Sequence, residues 1–191
     1  MENTEKRFVP RTQREGLKNI RNLILLGVLL AAGIVLKIFL TTAIPLFTVM
    51  KPNFVIAMYC LAIMIIRPTI IEGAIIGVLA GVLCQLLPGL PYINIASELV
   101  GGVMMALLLR APLRAGKLDL HPTVGTFLST LVSGFTYVGV MYVAVYSGAD
   151  FTPTPLGVFL GIIFGTAAIN AVIVQALFLP LGAALKGANR S

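Results

Sequence analysis

Six long stretches of apolar residues, separated by short polar or proline-containing segments, divide the chain. They cover residues 23–40, 53–66, 69–87, 93–109, 123–146 and 155–185. The stretches are continuously apolar, whereas the strands of a membrane β-barrel alternate between apolar and polar residues. A helix needs about 20 apolar residues to cross the hydrocarbon core of a bilayer, and about 17 still suffice. The pattern therefore predicts an all-α integral membrane protein with six transmembrane helices, of which the second is short and is separated from the third by Pro68.

Composition agrees with a chain that faces lipid. Of its 191 residues, 58% are hydrophobic and 11% are charged, against about 25% charged in an average soluble domain. We divide the chain into a basic cytoplasmic N-terminal arm (residues 1–22), a six-helix membrane domain (23–185) and a short cytoplasmic tail (186–191). No cleavage site of small residues follows the first apolar stretch, so the N-terminus is not predicted to be a secretory signal peptide.

The distribution of Lys and Arg predicts the orientation, because these residues concentrate in cytoplasmic loops. If the N-terminus is cytoplasmic, both termini are, and Lys51 lies on the outer side while Lys37 snorkels outward from the first helix. Twelve basic residues then lie on the cytoplasmic side with the termini: Lys6, Arg7, Arg11, Arg14, Lys18, Arg21, Arg67, Arg110, Arg114, Lys117, Lys186 and Arg190.

Small residues at intervals of four indicate close helix contacts, because small side chains let membrane helices approach one another. The third stretch carries Gly73, Gly77 and Gly81, and the sixth carries glycines at 157, 161 and 165. We predict internal packing for both sets. In the first stretch, Gly27 and Ala31 form a weaker pattern of the same kind, with a second membrane protein as a possible partner. Thr69 and Glu72 fit a capping box at the start of the third helix.

No catalytic motif is present. The chain lacks the GxxxxGK[ST] loop that binds nucleotide phosphates, and its acidic residues are too scattered for a metal-binding carboxylate cluster. His121 is the single histidine, and the two cysteines, Cys60 and Cys84, lie within apolar stretches, where packing is their usual role. We therefore predict neither an enzyme nor a bound cofactor or metal.

Polar residues near the outer face instead suggest the capture of a small external molecule. Burying a polar group in a membrane costs free energy, so polar residues there usually have a function. The simpler alternatives are hydrogen bonds between helices, an interfacial tyrosine belt and a plain loop at residues 51–53. The candidate ligand-binding residues are Lys51, Asn53, Tyr92, Asn94, Glu98, Tyr137, Tyr142, Tyr146 and Asn170.

The chain resembles the substrate-binding S components of energy-coupling factor transporters over residues 23–185. The resemblance rests on LLGVLLAAGIVLK in the first helix, VMKPNFVIAMYCLAI at the second and IIEGAIIGVLAGVL in the third. It continues in LVSGFTYVG and GTAAINAVIVQALF in the fifth and sixth helices. The MKPN, LVSG and AAIN segments look most like the tryptophan-transporter subgroup, whose relatives include cobalamin S components.

This resemblance implies a function and a set of partners. S components of bacterial cell membranes bind a vitamin or another micronutrient near the outer face. They associate with a transmembrane T component and two cytoplasmic ATPases, and they release the substrate inside. The family's small-residue motif on the first helix contacts the T component, and Gly27 and Ala31 occupy that position here.

The sequence leaves two classes of substrate open. A zwitterionic amino acid such as tryptophan would need a cation and an anion, which Lys51 and Glu98 could supply. A large corrinoid would need wide, mostly neutral outer loops, and the glycine- and proline-rich outer loops lead us to expect cobalamin. A self-sufficient secondary transporter and a membrane-embedded assembly factor are alternatives of other classes. The first would require a coupling-ion site and the second would not require outer polar groups.

Overall fold

The computed structural model describes residues 16–44, 52–87, 90, 92–115, 118–150 and 155–188. A short 3-10 turn, Gly16–Lys18, leads into the first long helix. The helices of the described ranges are α1 (Ile20–Ala43), α2 (Val55–Ile66), α3 (Ile70–Cys84), α4 (Ile93–Leu108), α5 (Thr126–Tyr146) and α6 (Leu156–Ala188).

The predicted all-helical class is confirmed, and three helices are long and apolar enough to cross a bilayer. They are α1, the continuous helical segment His121–Tyr146 that contains α5, and the segment Leu156–Leu185 of α6. The helices α2, α3 and α4 have 12, 15 and 16 residues. At 1.5 Å per residue they are about 18 to 24 Å long, against a hydrocarbon core of about 30 Å. Six complete spans and the positions of the termini therefore remain predictions.

The connection between α4 and α5 holds a feature that the helical pattern did not predict. Two antiparallel strands of two residues each, β1 (Arg114–Ala115) and β2 (Leu118–Asp119), form a small hairpin. A π-helical turn, His121–Gly125, then leads into α5. The Nδ1 atom of His121 lies 2.5 Å from the Asp119 carboxylate, so this histidine helps to close the loop.

The centre of the bundle is α2. All of its residues are buried except Ile65, which is half-buried, and the helix contacts α1, α3, α4, α5 and α6. A helix that is apolar on every side is stable only when other helices surround it. It ends at Arg67, whose left-handed backbone (φ 52°) is followed by Pro68. The short apolar stretch in the sequence is thus the core of the fold.

The glycines of α3 form the closest helix contact in the described part of the bundle. A Cβ atom at Gly73 would lie 2.6 Å from the Cβ atom of Ala106, and one at Gly81 would lie 2.6 Å from the Cα atom of Ile95. Between them, a Cβ atom at Gly77 would collide with the backbone carbonyl of Glu98. Internal packing, predicted for these three residues, is confirmed for the α3–α4 pair.

The glycines of α6 behave differently. Gly157 and Gly161 are exposed, and a Cβ atom at either position would meet nothing within 4 Å. The prediction of internal packing is therefore wrong for these two residues. Spacing identified a common face of the helix, but it could not show whether that face turns toward the bundle.

The predicted capping box is confirmed and has an additional role. Thr69 Oγ1 accepts a hydrogen bond from the Glu72 amide at 3.2 Å, and Glu72 Oε2 accepts one from the Thr69 amide at 2.8 Å. The second carboxylate oxygen, Oε1, accepts a hydrogen bond from the Leu17 amide at 2.8 Å. Glu72 therefore also fixes the turn that precedes α1, and α1 itself begins at Ile20 rather than at residue 23.

Replacing Gly77 with Val should destabilise the protein, because the added side chain would force α3 and α4 apart. Overpacking typically costs about 1–3 kcal/mol, and more when the obstacle is backbone. We expect a clearly lowered midpoint of thermal unfolding in detergent.

The matched control is Gly161→Val, which introduces the same side chain into a helix at an open position. It should leave the unfolding midpoint nearly unchanged. Equal losses for the two variants would show that helix propensity, rather than the α3–α4 contact, governs the effect.

Candidate functional site

A cluster of polar side chains lies inside the apolar bundle, where α4 and α5 meet the start of α2. At its centre is Glu98, whose side chain is only 1% exposed. Its Oε1 atom accepts a hydrogen bond from the Asn53 amide at 2.5 Å, and its Oε2 atom accepts one from the Ser133 hydroxyl at 3.3 Å. A carboxylate at this depth is held by neutral donors.

Asn53 joins the carboxylate to the sixth helix. It lies two residues before α2 and accepts a hydrogen bond from the Val55 amide at 3.3 Å, which orders the start of that helix. Its backbone carbonyl accepts a hydrogen bond from the side chain of Asn170 at 3.1 Å. The Asn170 amide group also lies 3.4 Å from the hydroxyl of Thr130. Three of the predicted ligand-binding residues, Asn53, Glu98 and Asn170, are thus brought together.

One face of α5 contributes a stripe of hydroxyl groups to this region. Thr126, Ser129, Thr130 and Ser133 follow the spacing of a single helix face, and all four are buried. The Ser129 hydroxyl donates to the Gly101 carbonyl at 2.8 Å, and Cys60 Sγ lies 3.5 Å from the same hydroxyl. The candidate residues chosen from the sequence missed this stripe. Its periodicity in TFLSTLVSG, within an otherwise apolar helix, is the signal that would have identified it.

Several polar atoms near these helices have hydrogen-bonding capacity that the described residues do not use. The Asn170 Oδ1 atom and the hydroxyls of Tyr59, Thr126 and Thr166 are buried, and none has a hydrogen-bond partner in the part of the chain that the structure describes. Of these groups, the Tyr59 hydroxyl interacts with the Glu98 carboxylate. Because an unmade hydrogen bond at a buried polar group costs about 1–3 kcal/mol, these atoms are suited to a polar ligand.

The predicted pairing of Glu98 with Lys51 stays a prediction, because Lys51 lies outside the described residues. Glu98 itself lies more than one turn inside α4 and is buried. Across the described ranges, no Lys or Arg side chain lies within ion-pair distance of Glu98. Lys37 of α1, which we predict to snorkel outward, is half-buried, and its charge acts on the carboxylate.

Two of the four predicted tyrosines lie at the surface of the protein. Tyr92 and Tyr146 are 76% and 94% exposed, which agrees better with the interfacial belt than with a buried ligand site. Tyr137 lies one turn beyond Ser133 on α5, and its ring packs against Phe159 with a centroid distance of 6.4 Å. Tyr142 is half-buried.

Asn94 lies where α4 packs against α3. Its carbonyl accepts a hydrogen bond from Ser97 at 3.2 Å and faces Gly81 of α3. It lies in the first turn of α4, before Glu98, and the α3–α4 contact fixes its backbone. The prediction of a ligand contact for its side chain stays a prediction.

The two predicted docking residues lie on a face of α1 that the rest of the bundle does not cover. Gly27 and Ala31 are exposed, and a Cβ atom at Gly27 would meet nothing within 4 Å. Gly33, by contrast, faces α2, where a Cβ atom would lie 3.1 Å from Met58. The helix therefore presents one small-residue face to the bundle and leaves another open.

Comparison with curated proteins gives a similarity that extends over most of the chain. The chain is 27% identical over 165 residues to a probable tryptophan transport protein from Clostridium acetobutylicum. The alignment covers 84% of this chain and 91% of the relative. No family model and no solved structure matches the chain. Together with the apolar helices, this likeness supports a membrane protein that functions in transport.

Replacing Ser133 with Ala should destabilise the protein, because the buried Glu98 carboxylate would lose a neutral hydrogen-bond donor. Leaving a buried acceptor short of a partner costs about 1–3 kcal/mol. The midpoint of thermal unfolding in detergent should fall accordingly.

Ser147→Ala is the control, since the Ser147 hydroxyl is exposed and bonds only to the Val143 carbonyl of the preceding turn. The free energy of unfolding of this variant should stay within about 0.5 kcal/mol of that of the unmodified protein. If Ser133→Ala proves equally mild, the Ser133–Glu98 hydrogen bond contributes little to the cluster.

Proposed function

We propose that this chain is the substrate-binding subunit of a bacterial membrane transporter that takes up tryptophan. The observation that carries the proposal is the buried Glu98 carboxylate with its neutral donors Asn53 and Ser133. The whole-length similarity to a probable tryptophan transport protein supports it. Ionisable groups inside a membrane protein are rare and usually mark a substrate or ion pathway.

The cluster offers chemistry that suits a zwitterionic amino acid. The ammonium group of the ligand would pair with Glu98 and replace part of its contact with Asn53. Lys37, whose charge already acts on Glu98, is the described cation best placed for the ligand carboxylate. The unused Oδ1 atom of Asn170 can accept a hydrogen bond from the indole N–H, and the surrounding apolar helices can enclose the ring.

Tryptophan replaces cobalamin as the favoured substrate. The expectation of cobalamin relied on wide, neutral outer loops, and nothing in the described residues adds to it. The polar cluster is instead compact and centred on an ionisable group, which an amide-rich corrinoid would not require. The similarity to a probable tryptophan transport protein points the same way.

We further propose that the chain acts with a transmembrane T component and two cytoplasmic ATPases and is not itself an enzyme. The resemblance to S components supports this arrangement, as does the absence of a nucleotide-binding motif in the sequence. The open face of α1 around Gly27 and Ala31 is the proposed contact with the T component. Small residues at this spacing permit the close approach that membrane helices need.

A self-sufficient secondary transporter is the second candidate. The observation that favours it is again Glu98, because a single buried carboxylate can carry a proton across a membrane protein. Both candidates place the substrate in the same cluster. They differ in the source of energy, which reconstitution can separate.

Replacing Glu98 with Gln should weaken tryptophan binding about tenfold or more, because a hydrogen bond to a charged group contributes about 1.5–3 kcal/mol. The measurement is calorimetric titration of the purified protein with tryptophan and, separately, with cobalamin. Unmodified protein should bind tryptophan and not cobalamin.

Glu72→Gln provides the matched control, since Glu72 caps α3 and fixes Leu17 without contacting the cluster. Its affinity for tryptophan should stay close to that of the unmodified protein. Unchanged affinity in Glu98→Gln, or equal losses in both variants, would contradict the assigned site.

Vesicles that contain only this protein should bind tryptophan without accumulating it, whereas vesicles that also contain the T component and the ATPases should accumulate it with ATP. In the complete system, Gly27→Trp should reduce uptake because the bulky ring would hold the partner helix away. Gly161→Trp, at another open glycine, is the control.

Accumulation in the single-protein vesicles, driven by a proton gradient, would establish the second candidate instead. Full uptake by the Gly27→Trp variant would show that the T component binds elsewhere.

A further inference from the structure

A second polar site lies at the opposite end of α4 from Asn94. A cavity of about 210 Å³ opens where the α2–α3 connection meets the end of α4. Ala106 lies eight residues after Glu98 on the same helix, which corresponds to about 12 Å along its axis, so this cavity is separate from the buried cluster. The residues that line it are Arg67, Pro68, Thr69, Glu72, Ala106, Leu109 and Arg110.

Two arginines from different elements face this cavity. Arg67 ends α2, and its backbone amide donates to the Ile63 carbonyl at 2.8 Å. Arg110 follows the last turn of α4, where its amide donates to Leu107. Both residues are exposed, and neither guanidinium group forms an ion pair or a side-chain hydrogen bond with the described residues. Two guanidinium groups thus line one cavity, and neither is paired with another side chain in the described part of the chain.

Glu72 also lines the cavity, but its carboxylate oxygens accept hydrogen bonds from groups other than the two arginines. Its Oε1 atom accepts from the Leu17 amide, and its Oε2 atom accepts from the amide and the hydroxyl of Thr69. The positive charge of Lys18 acts on it as well. Its carboxylate is therefore occupied by the helix cap and by the turn before α1.

We propose that this cavity binds the phosphate of an anionic lipid headgroup. Guanidinium groups form paired hydrogen bonds with phosphate oxygens, and Pro68, Ala106 and Leu109 provide an apolar wall for the glycerol and the start of an acyl chain. Basic pockets between membrane helices on the cytoplasmic side are typical sites for such headgroups. Our orientation places Arg67 and Arg110 on that side. Inorganic phosphate shares the same chemistry.

The test uses the full chain in detergent and counts bound phosphatidylglycerol by native mass spectrometry, with phosphatidylcholine for comparison. Phosphatidylglycerol should bind more tightly. Arg110→Gln and Arg67→Gln should each weaken its binding about tenfold, as expected for a lost charged hydrogen-bonding group. Arg21→Gln removes an exposed arginine that does not line the cavity, and it should weaken binding clearly less.

Competition with inorganic phosphate separates the two possible sources of the ligand. Displacement of the lipid only at far higher phosphate concentrations supports a headgroup site, and displacement at equal concentrations overturns the lipid assignment. Equal losses in all three arginine variants would indicate general surface charge and contradict a built site. Arg110 lies in an exposed turn, where a substitution is tolerated more easily. If Arg67→Gln does not fold, the lipid affinity of Arg110→Gln alone tests the site.

Discussion

The burial of the Glu98 carboxylate beside Asn53 is the interaction on which the arrangement of the bundle depends. Through Asn53 it joins α4 to the start of α2, through Ser133 it joins α4 to α5, and the Asn53 carbonyl extends the connection to Asn170 of α6. A carboxylate in an apolar bundle costs free energy that well-packed apolar side chains would avoid. Under the function proposed above, ligand binding accounts for its presence at the meeting point of four helices.

The apolar part of the fold positions this carboxylate. The start of α2 lies at the cluster, and the helix itself is enclosed on all sides, so the position of Asn53 is fixed by packing along the twelve residues that follow. On α4, the backbone of Glu98 lies directly against Gly77 of α3. That close contact sets both the height and the rotation of α4. The helix-packing glycines and the polar cluster are therefore two parts of one arrangement.

Sequence patterns predicted the features that depend on local spacing, such as the helical membrane class, the Thr69–Glu72 cap and the close packing of Gly73, Gly77 and Gly81. They failed where the direction of a helix face decides the outcome, since glycine spacing does not show that Gly157 and Gly161 face outward. The hydroxyl stripe of α5 was present in the sequence as a periodic pattern. The electrostatic effect of Lys37 on Glu98 depends on tertiary packing alone.

The most direct test of the account is a thermodynamic cycle that joins Glu98 to the ligand's ammonium group. Dissociation constants would be measured for tryptophan and for indole-3-propionate, which lacks that group, with unmodified protein and with Glu98→Gln. Removing either the ammonium group or the Glu98 carboxylate should weaken binding about tenfold or more. Removing both should raise the dissociation constant little beyond either single change, because the effects of two interacting groups are not additive. Independent, additive losses would contradict the pairing of tryptophan with Glu98.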